Sequence, residues 1–335
     1  MPRKQGNARW ETVAGILFVS ASALGPAGCR TLSPERLEMQ PVERREANRG
    51  QLLAILDDQS KLLRLSATTR VSILEESSVV PATVIDSLRK ERGNPYQKRF
   101  AQVEVNGSFY LSRDAEGRRN VRMSGEVQGV SGMGFTLLGK NQSFWMLIPT
   151  SEEEREKAIS QGQAAPRGKV LYGTFDSDTL RPRDRYSIRP QDFADLVLMA
   201  EARPALDGQD ICYVEKWQDY YIMTFLRPDW PNHVYSKIWF ERQNLTIAIH
   251  QLFDSSGELV AEARFKNYGR YAVSPGSKVK IDVPTQVDFL WPRDRILMRA
   301  AFVDIKLNGD IPASVFDEKR FEGYPTELID APPAR

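Results

Sequence analysis

The sequence predicts a mainly β protein built on one large antiparallel sheet. Three observations predict it. From Ser66 onward most apolar residues recur with period two, the spacing of a strand with one buried face. Short polar or glycine-containing breaks separate the runs, at Gly139-Lys140-Asn141-Gln142, Gln218-Asp219, Gln243-Asn244 and Ser255-Ser256-Gly257. Strands joined by turns this short pair as neighbours, giving a meander. About ten such runs follow one another, and a sheet of that width leaves long free edges unless it curls toward a barrel or splits.

The first element is an export signal. Arg3, Lys4 and Arg9 form a basic stretch, residues 13–24 an apolar one, and small residues lead to Cys29. The apolar run is shorter than the roughly 20 residues a membrane-crossing helix needs, which disfavours a permanent span. Pro26-Ala27-Gly28-Cys29 is similar to the lipobox of bacterial lipoproteins, in which the cysteine receives diacylglycerol and the chain is cut before it. Pro26 departs from that pattern, which usually has Leu there. The alternative is a secreted protein without lipid on Cys29. Residues 1–28 are thus read as a lipoprotein signal peptide and 29–47, with Pro34, Pro41 and a mixed charge cluster, as a tether.

A barrel domain is expected over 48–320. Leu52, Leu53, Leu56, Leu62 and Leu63 recur near helical spacing and predict an amphipathic entrance helix. Strands follow at 70–73, 100–112, 120–127, 135–138 and 143–148. The charged stretch 150–160, with the segment to Gly168, reads as a helix or mobile loop between strands. A second helix is predicted over 190–202, with Phe193, Leu196, Val197 and Ala200 on one face. Alternation resumes at 211–217, 220–226, 234–241, 245–253 and 258–268, then at 285–291 and 296–307. Residues 321–335 are expected to trail over the surface as a C-terminal tail.

Composition narrows the function classes. Setting aside Arg3, Lys4, Arg9 and Glu11 leaves 43 charges of each sign from residue 29 onward, so the mature chain as a whole has no basic footprint for nucleic acid. Two cysteines, Cys29 and Cys212, cannot build a disulfide framework, and Cys212 in Ile211-Cys212-Tyr213-Val214 reads as a small buried hydrophobe. Two histidines, His233 and His250, with no HExxH spacing, give a metal site little material, and no cofactor is expected. Neither histidine lies in a catalytic setting and no GxSxG occurs, so the protein is read as a non-enzyme and a lipid or glycan hydrolase ranks last. Asp176, Asp178 and Asp184 lack the calcium-loop pattern. Arg181, Arg183 and Arg185 form a basic loop that is either solvated or turned toward phosphate headgroups.

The order of elements then carries a resemblance. A lipoprotein signal, an entrance helix, a meander, a mid-chain helix and a second meander resemble the LolA/LolB-like lipoprotein carriers and related periplasmic lipid-binding lipoproteins. The stretches that carry it are Ile238-Trp239-Phe240-Glu241, His250-Gln251-Leu252-Phe253-Asp254 with Gly257, Phe265-Lys266-Asn267-Tyr268, Ile281-Asp282-Val283-Pro284, and Asp304-Ile305-Lys306-Leu307-Asn308. The helix opening Arg189-Pro190-Gln191-Asp192-Phe193 sits where such proteins place a lid.

The resemblance implies a strongly curved antiparallel sheet forming an incomplete β-barrel, with helices packed into its open side, around an apolar hollow that takes lipid or lipoprotein acyl chains, in a cell envelope, anchored through Cys29 and facing the periplasm, at the outer membrane in preference to the inner. Strand parity nominates Phe109, Leu111, Val121, Met123, Phe144, Met146, Ile148, Tyr221, Met223, Phe225, Ile238, Phe240, Ile247 and Ile249 as its lining; each also fits ordinary core packing. The glycine-rich Gly129–Phe135 stretch, with Met133 and Phe135, reads either as a membrane or transfer loop or as a glycine-kinked strand. The expected function is a membrane-anchored carrier or receptor for acyl chains. The rival is a structural or sensory envelope lipoprotein that acts through a periplasmic protein partner.

Overall fold

The computed structural model describes residues 43–75, 101–114, 117–127, 134–140, 143–148, 150, 152–164, 168–174, 190–199, 211–227, 233–293 and 296–328. Cys29 and the signal segment, Met133, Ala200 and the 175–189 segment with its aspartates and arginines lie outside the described residues, as do the side chains of Phe135 and Ile148.

The entrance helix α1 spans Arg49–Ser60. Its start is fixed reciprocally: the Asn48 side chain accepts from the Gln51 amide, and the Gln51 side chain accepts from the Asn48 amide. Two N-terminal donors that the helix itself leaves unpaired are thereby satisfied. Leu52 and Leu56, one turn apart, turn its apolar side inward and are fully buried.

Two meanders follow. The first comprises β1 (Arg64–Glu75), β2 (Ala101–Arg113), β3 (Arg119–Val127), β4 (Gly134–Lys140), β5 (Ser143–Ile148) and, after the helix α2 (Glu152–Ser160), β6 (Lys169–Thr174). The helix α3 (Pro190–Leu198) separates it from β7 (Ile211–Lys216), β8 (Tyr220–Arg227), β9 (His233–Glu241), β10 (Ile247–Phe253), β11 (Leu259–Ala272), β12 (Lys280–Trp291) and β13 (Ile296–Leu307). A short β14 (Thr326–Leu328) ends the described chain. Among the described residues these make one 14-stranded sheet in the order β14-β6-β5-β4-β3-β2-β1-β13-β12-β11-β10-β9-β8-β7. The meanders are joined by antiparallel pairing of β1 with β13, as at Val71 opposite Ala300. β7 and β14 are the two edges, so the curved sheet stays open, as the resemblance implies.

Several local features bend it. Register shifts occur between Ser66 and Thr68 against β13, between Phe225 and Leu226 against β9, and between Ile247 and Ile249 against β9. Each adds a residue to one strand and sharpens the twist. Gly107 and Gly125 face each other across β2 and β3, where a Cβ on either would run into the backbone of the other strand.

Some elements depart from the sequence reading. β6 is an additional strand; its alternation is short and bounded by Gly168 and Gly173, which hid it. β12 starts at Lys280, before Pro284, because β11 pairs with it from there, whereas β13 pairs with it only from Gln286 onward. The missing amide hydrogen of Pro284 therefore costs no ladder bond on that side. α3 stops at Leu198, where Met199 takes a left-handed conformation (φ 50°).

The C-terminal segment does not simply trail. Phe316 and Phe321 are buried on the outer face of the first meander with Leu138 and Val170, and Trp145 and Leu147 pack against them. Phe321 stacks on Trp145, with ring centroids 6.5 Å apart and an interplanar angle of 11°. Lys140 donates to Glu318 at 2.6 Å, and β14 then runs parallel to β6. The outer face of β10–β13 is instead polar: Gln251 donates to Glu262, while Lys266 and Arg299 both donate to Asp288.

Candidate functional site

The inner face carries a single large apolar cluster fed by both meanders. Phe109, Leu111, Val121, Met123, Met146, Tyr221, Met223, Phe225, Ile238, Phe240 and Ile247 all belong to it, and Phe144, sharing the parity of Met146 on β5, is buried as well. Ile249 is corrected. The register shift between Ile247 and Ile249 reverses the parity of β10, so Ile249 lies half-buried opposite Trp239 and Arg264 while His250 turns inward. The cluster also takes Val287, Phe289, Trp291, Met298, Ala300 and Phe302 from β12 and β13. Their period-two spacing was visible in the sequence, but only the β1–β13 pairing places them at the centre of the concave face.

α3 lies in that concavity and touches both meanders. Pro190 occupies the first helical position, where its fixed φ suits the helix and its missing amide hydrogen is not needed. Gly139 on β4 lets it seat: a Cβ there would lie 2.6 Å from the Pro190 Cβ. Phe193 is fully buried between sheets of rings, edge-on to Phe289 at 4.9 Å, Trp291 at 5.4 Å and Phe109 at 6.0 Å. Leu196 and Val197 are buried beside it.

Polar groups fasten the same helix. Trp291 Nε1 donates to Asp192 Oδ2 at 3.0 Å, and Arg119 pairs with Asp195. At the other end His250 Nδ1 lies 3.0 Å from the Leu196 carbonyl, and its Nε2 lies 3.0 Å from Ser236 Oγ. A carbonyl only accepts, so Nδ1 carries the proton and Nε2 accepts from the serine. Burial pushes the imidazole down to about 4, against the backbone bond that favours its charged form, so it is neutral at neutral pH. Sequence reasoning did not find these fasteners, since each joins residues far apart in the chain.

The chain enters at one end of the second meander. Tyr221, whose ring belongs to the inner cluster, has its hydroxyl 3.0 Å from both Glu46 Oε2 and the Ala47 amide. Arg242 donates to Glu46 at 2.7 Å and lies over the Tyr221 ring. Lys216 reaches the same carboxylate, whose pKa its hydrogen bond lowers. Residues 43–47, the last of the expected tether, are thereby docked.

No family model and no curated protein matches the sequence. Among solved structures, the chain is similar to a putative outer membrane lipoprotein-sorting protein domain from Vibrio parahaemolyticus, with 11% identity, 82% of this chain and 99% of that chain covered and a TM-score of 0.46. It is also similar to a DUF1329 family protein from Desulfovibrio piger (11% identity, 81% and 97% covered, TM-score 0.45). A LolA superfamily protein from Nitrosomonas europaea aligns as well (13% identity, 80% and 97% covered, TM-score 0.39).

Among the described residues no helix is long and apolar enough to cross a membrane, and no group of three His, Cys, Asp or Glu side chains is placed to hold a metal ion.

Proposed function

We propose that the protein is a non-enzymatic carrier or receptor for lipid or lipoprotein acyl chains, tethered through lipid on Cys29 and facing the periplasm. In this reading the inner face of β2, β3, β5 and β8–β10 is the wall against which acyl chains lodge, and α3 is the lid that yields to admit them. The observation that carries it is the setting of α3. A nine-residue helix buried along nearly its whole length fills the concavity, yet a few separate polar fasteners at Asp192, Asp195 and Leu196 hold it there. Displacing such a short helix would uncover a continuous apolar surface, and hydrocarbon would replace its contacts. The loop carrying Met133 joins β3 to β4 and serves, in the same reading, as the transfer loop.

Mass spectrometry of lipid extracted from gently purified protein tests this: acyl species near one per protein are expected. A fluorescent fatty acid should also bind more tightly to Ser236→Ala, which loosens the His250 fastener. Protein free of lipid that takes up no fatty acid in either form would sink the carrier reading. The complete burial of Phe193 favours, in that event, the rival reading of a filled barrel that acts on a protein partner. Lipid on Cys29 is tested separately, by radiolabelled fatty acid that marks the wild type and not Cys29→Ala.

A further inference from the structure

The outer face of the sheet has three characters. Over the first meander it is covered by the segment ending in β14, and over β10–β13 it is a ladder of charged and amide side chains. On β7–β9 it carries an aromatic cluster beside Glu215, Lys237 and Glu241. Trp217, 57% exposed, lies 6.5 Å from Trp239, and Tyr220 meets Trp239 edge-on at 5.6 Å. Tyr213, 43% exposed, continues the patch along the edge strand β7.

This patch adjoins the point where the chain enters the domain. Arg44 pairs with Asp219 and Glu46 with Lys216, the residues on either side of the Trp217–Gln218 turn. Thirteen residues separate Cys29 from Glu43, and a chain of that length spans at most about 45 Å. A lipid on Cys29 therefore keeps this end of the sheet within that distance of the bilayer.

We propose that Trp217, Tyr220 and Trp239 form a docking rim that rests at the headgroup level of the phospholipid membrane holding the tether. The proposal rests on the lipid-anchor reading of Cys29. Indole and phenol rings suit that depth because each joins an apolar body to a polar group; here the indole N–H groups of Trp217 and Trp239 donate to Glu215 and Gln251, which leaves the ring faces for the interface. Deeper insertion is disfavoured: β7 is a sheet edge, and its unpaired backbone groups would lose water in hydrocarbon. Docking by this rim leaves the opposite end of the sheet, where β3 ends and β4 begins, turned away from that membrane.

The test uses the full chain, processed and acylated in cells, purified and reconstituted into phosphatidylcholine vesicles with brominated acyl chains. Bromine is expected to quench the wild-type tryptophan emission. Trp217→Phe should remove about half of that quenching or more, whereas Trp145→Phe, altered beneath the C-terminal segment, should leave it. Vesicle-bound protein with no quenching, or with equal quenching in Trp217→Phe, overturns the docking rim and leaves the anchor standing. Protein that fails to float with vesicles overturns both readings together.

Discussion

His250 and Leu196 join the sheet to the helix inside it: the imidazole Nδ1 lies 3.0 Å from the Leu196 carbonyl, fifty-four residues earlier in the chain. That carbonyl belongs to the last turn of α3 and has no helical partner, so the histidine satisfies it while Ser236 satisfies the other ring nitrogen.

The pairing makes stability depend on pH. Burial lowers the imidazole from 6.5 to about 4, so the unfolded chain binds the proton more readily. The stabilisation is complete above pH 6.5 and is lost as pH falls through 4. Between pH 7 and pH 5 the group should remove roughly 2 kcal/mol of unfolding free energy. Urea denaturation at the two pH values, on wild type and His250→Gln, isolates it: the variant should lose less stability on acidification than the wild type.

Asp288 sits on the outer face beneath two cations. Burial would raise its carboxyl, but hydrogen bonds from Arg299 and Lys266 outweigh that and hold it at about 2. Its contribution is present above pH 3.8 and disappears as pH falls through 2. Asp288→Asn removes the charge that both cations meet and should cost about 1–3 kcal/mol at pH 7, read from the urea midpoint.

Gly139 is the seat of α3. Alanine there would place its Cβ 2.6 Å from Pro190, so the helix start must lift. Gly139→Ala should destabilise by about 1–3 kcal/mol. It should also speed hydrogen exchange of the α3 amides relative to those of β12; equal protection in both would show that the helix has not moved.

Phe321 holds the segment that covers the first meander. Phe321→Ala should cost about 3–5 kcal/mol if the site does not collapse. The emission of Trp145, which stacks on it, should shift to the red as water reaches the ring, and an unshifted spectrum would show that the segment stays down without it.

Much of the architecture was legible because it is local. Period two marked the strands from β1 to β13 except β6, and polar or glycine turns marked their pairing order, since a strand's buried face and a short turn are both written in adjacent residues. The Leu52, Leu56 spacing likewise marked α1. Among the described side chains, the inward face of the strands was legible from parity except at Ile249, where one extra residue in β10 exchanges the two faces.

What the sequence by itself determined is thus the class of fold, the succession of its strands and the apolar side of nearly every one. Tertiary structure alone decided that β1 closes on β13, that Phe321 returns to Trp145, and that Asp192, Asp195 and Leu196 fasten α3 within the concavity. Each of these is a contact between residues distant in the chain. Its free energy comes from burying surfaces that meet only once the sheet has curved, and no periodicity of neighbouring residues encodes which distant surface that is.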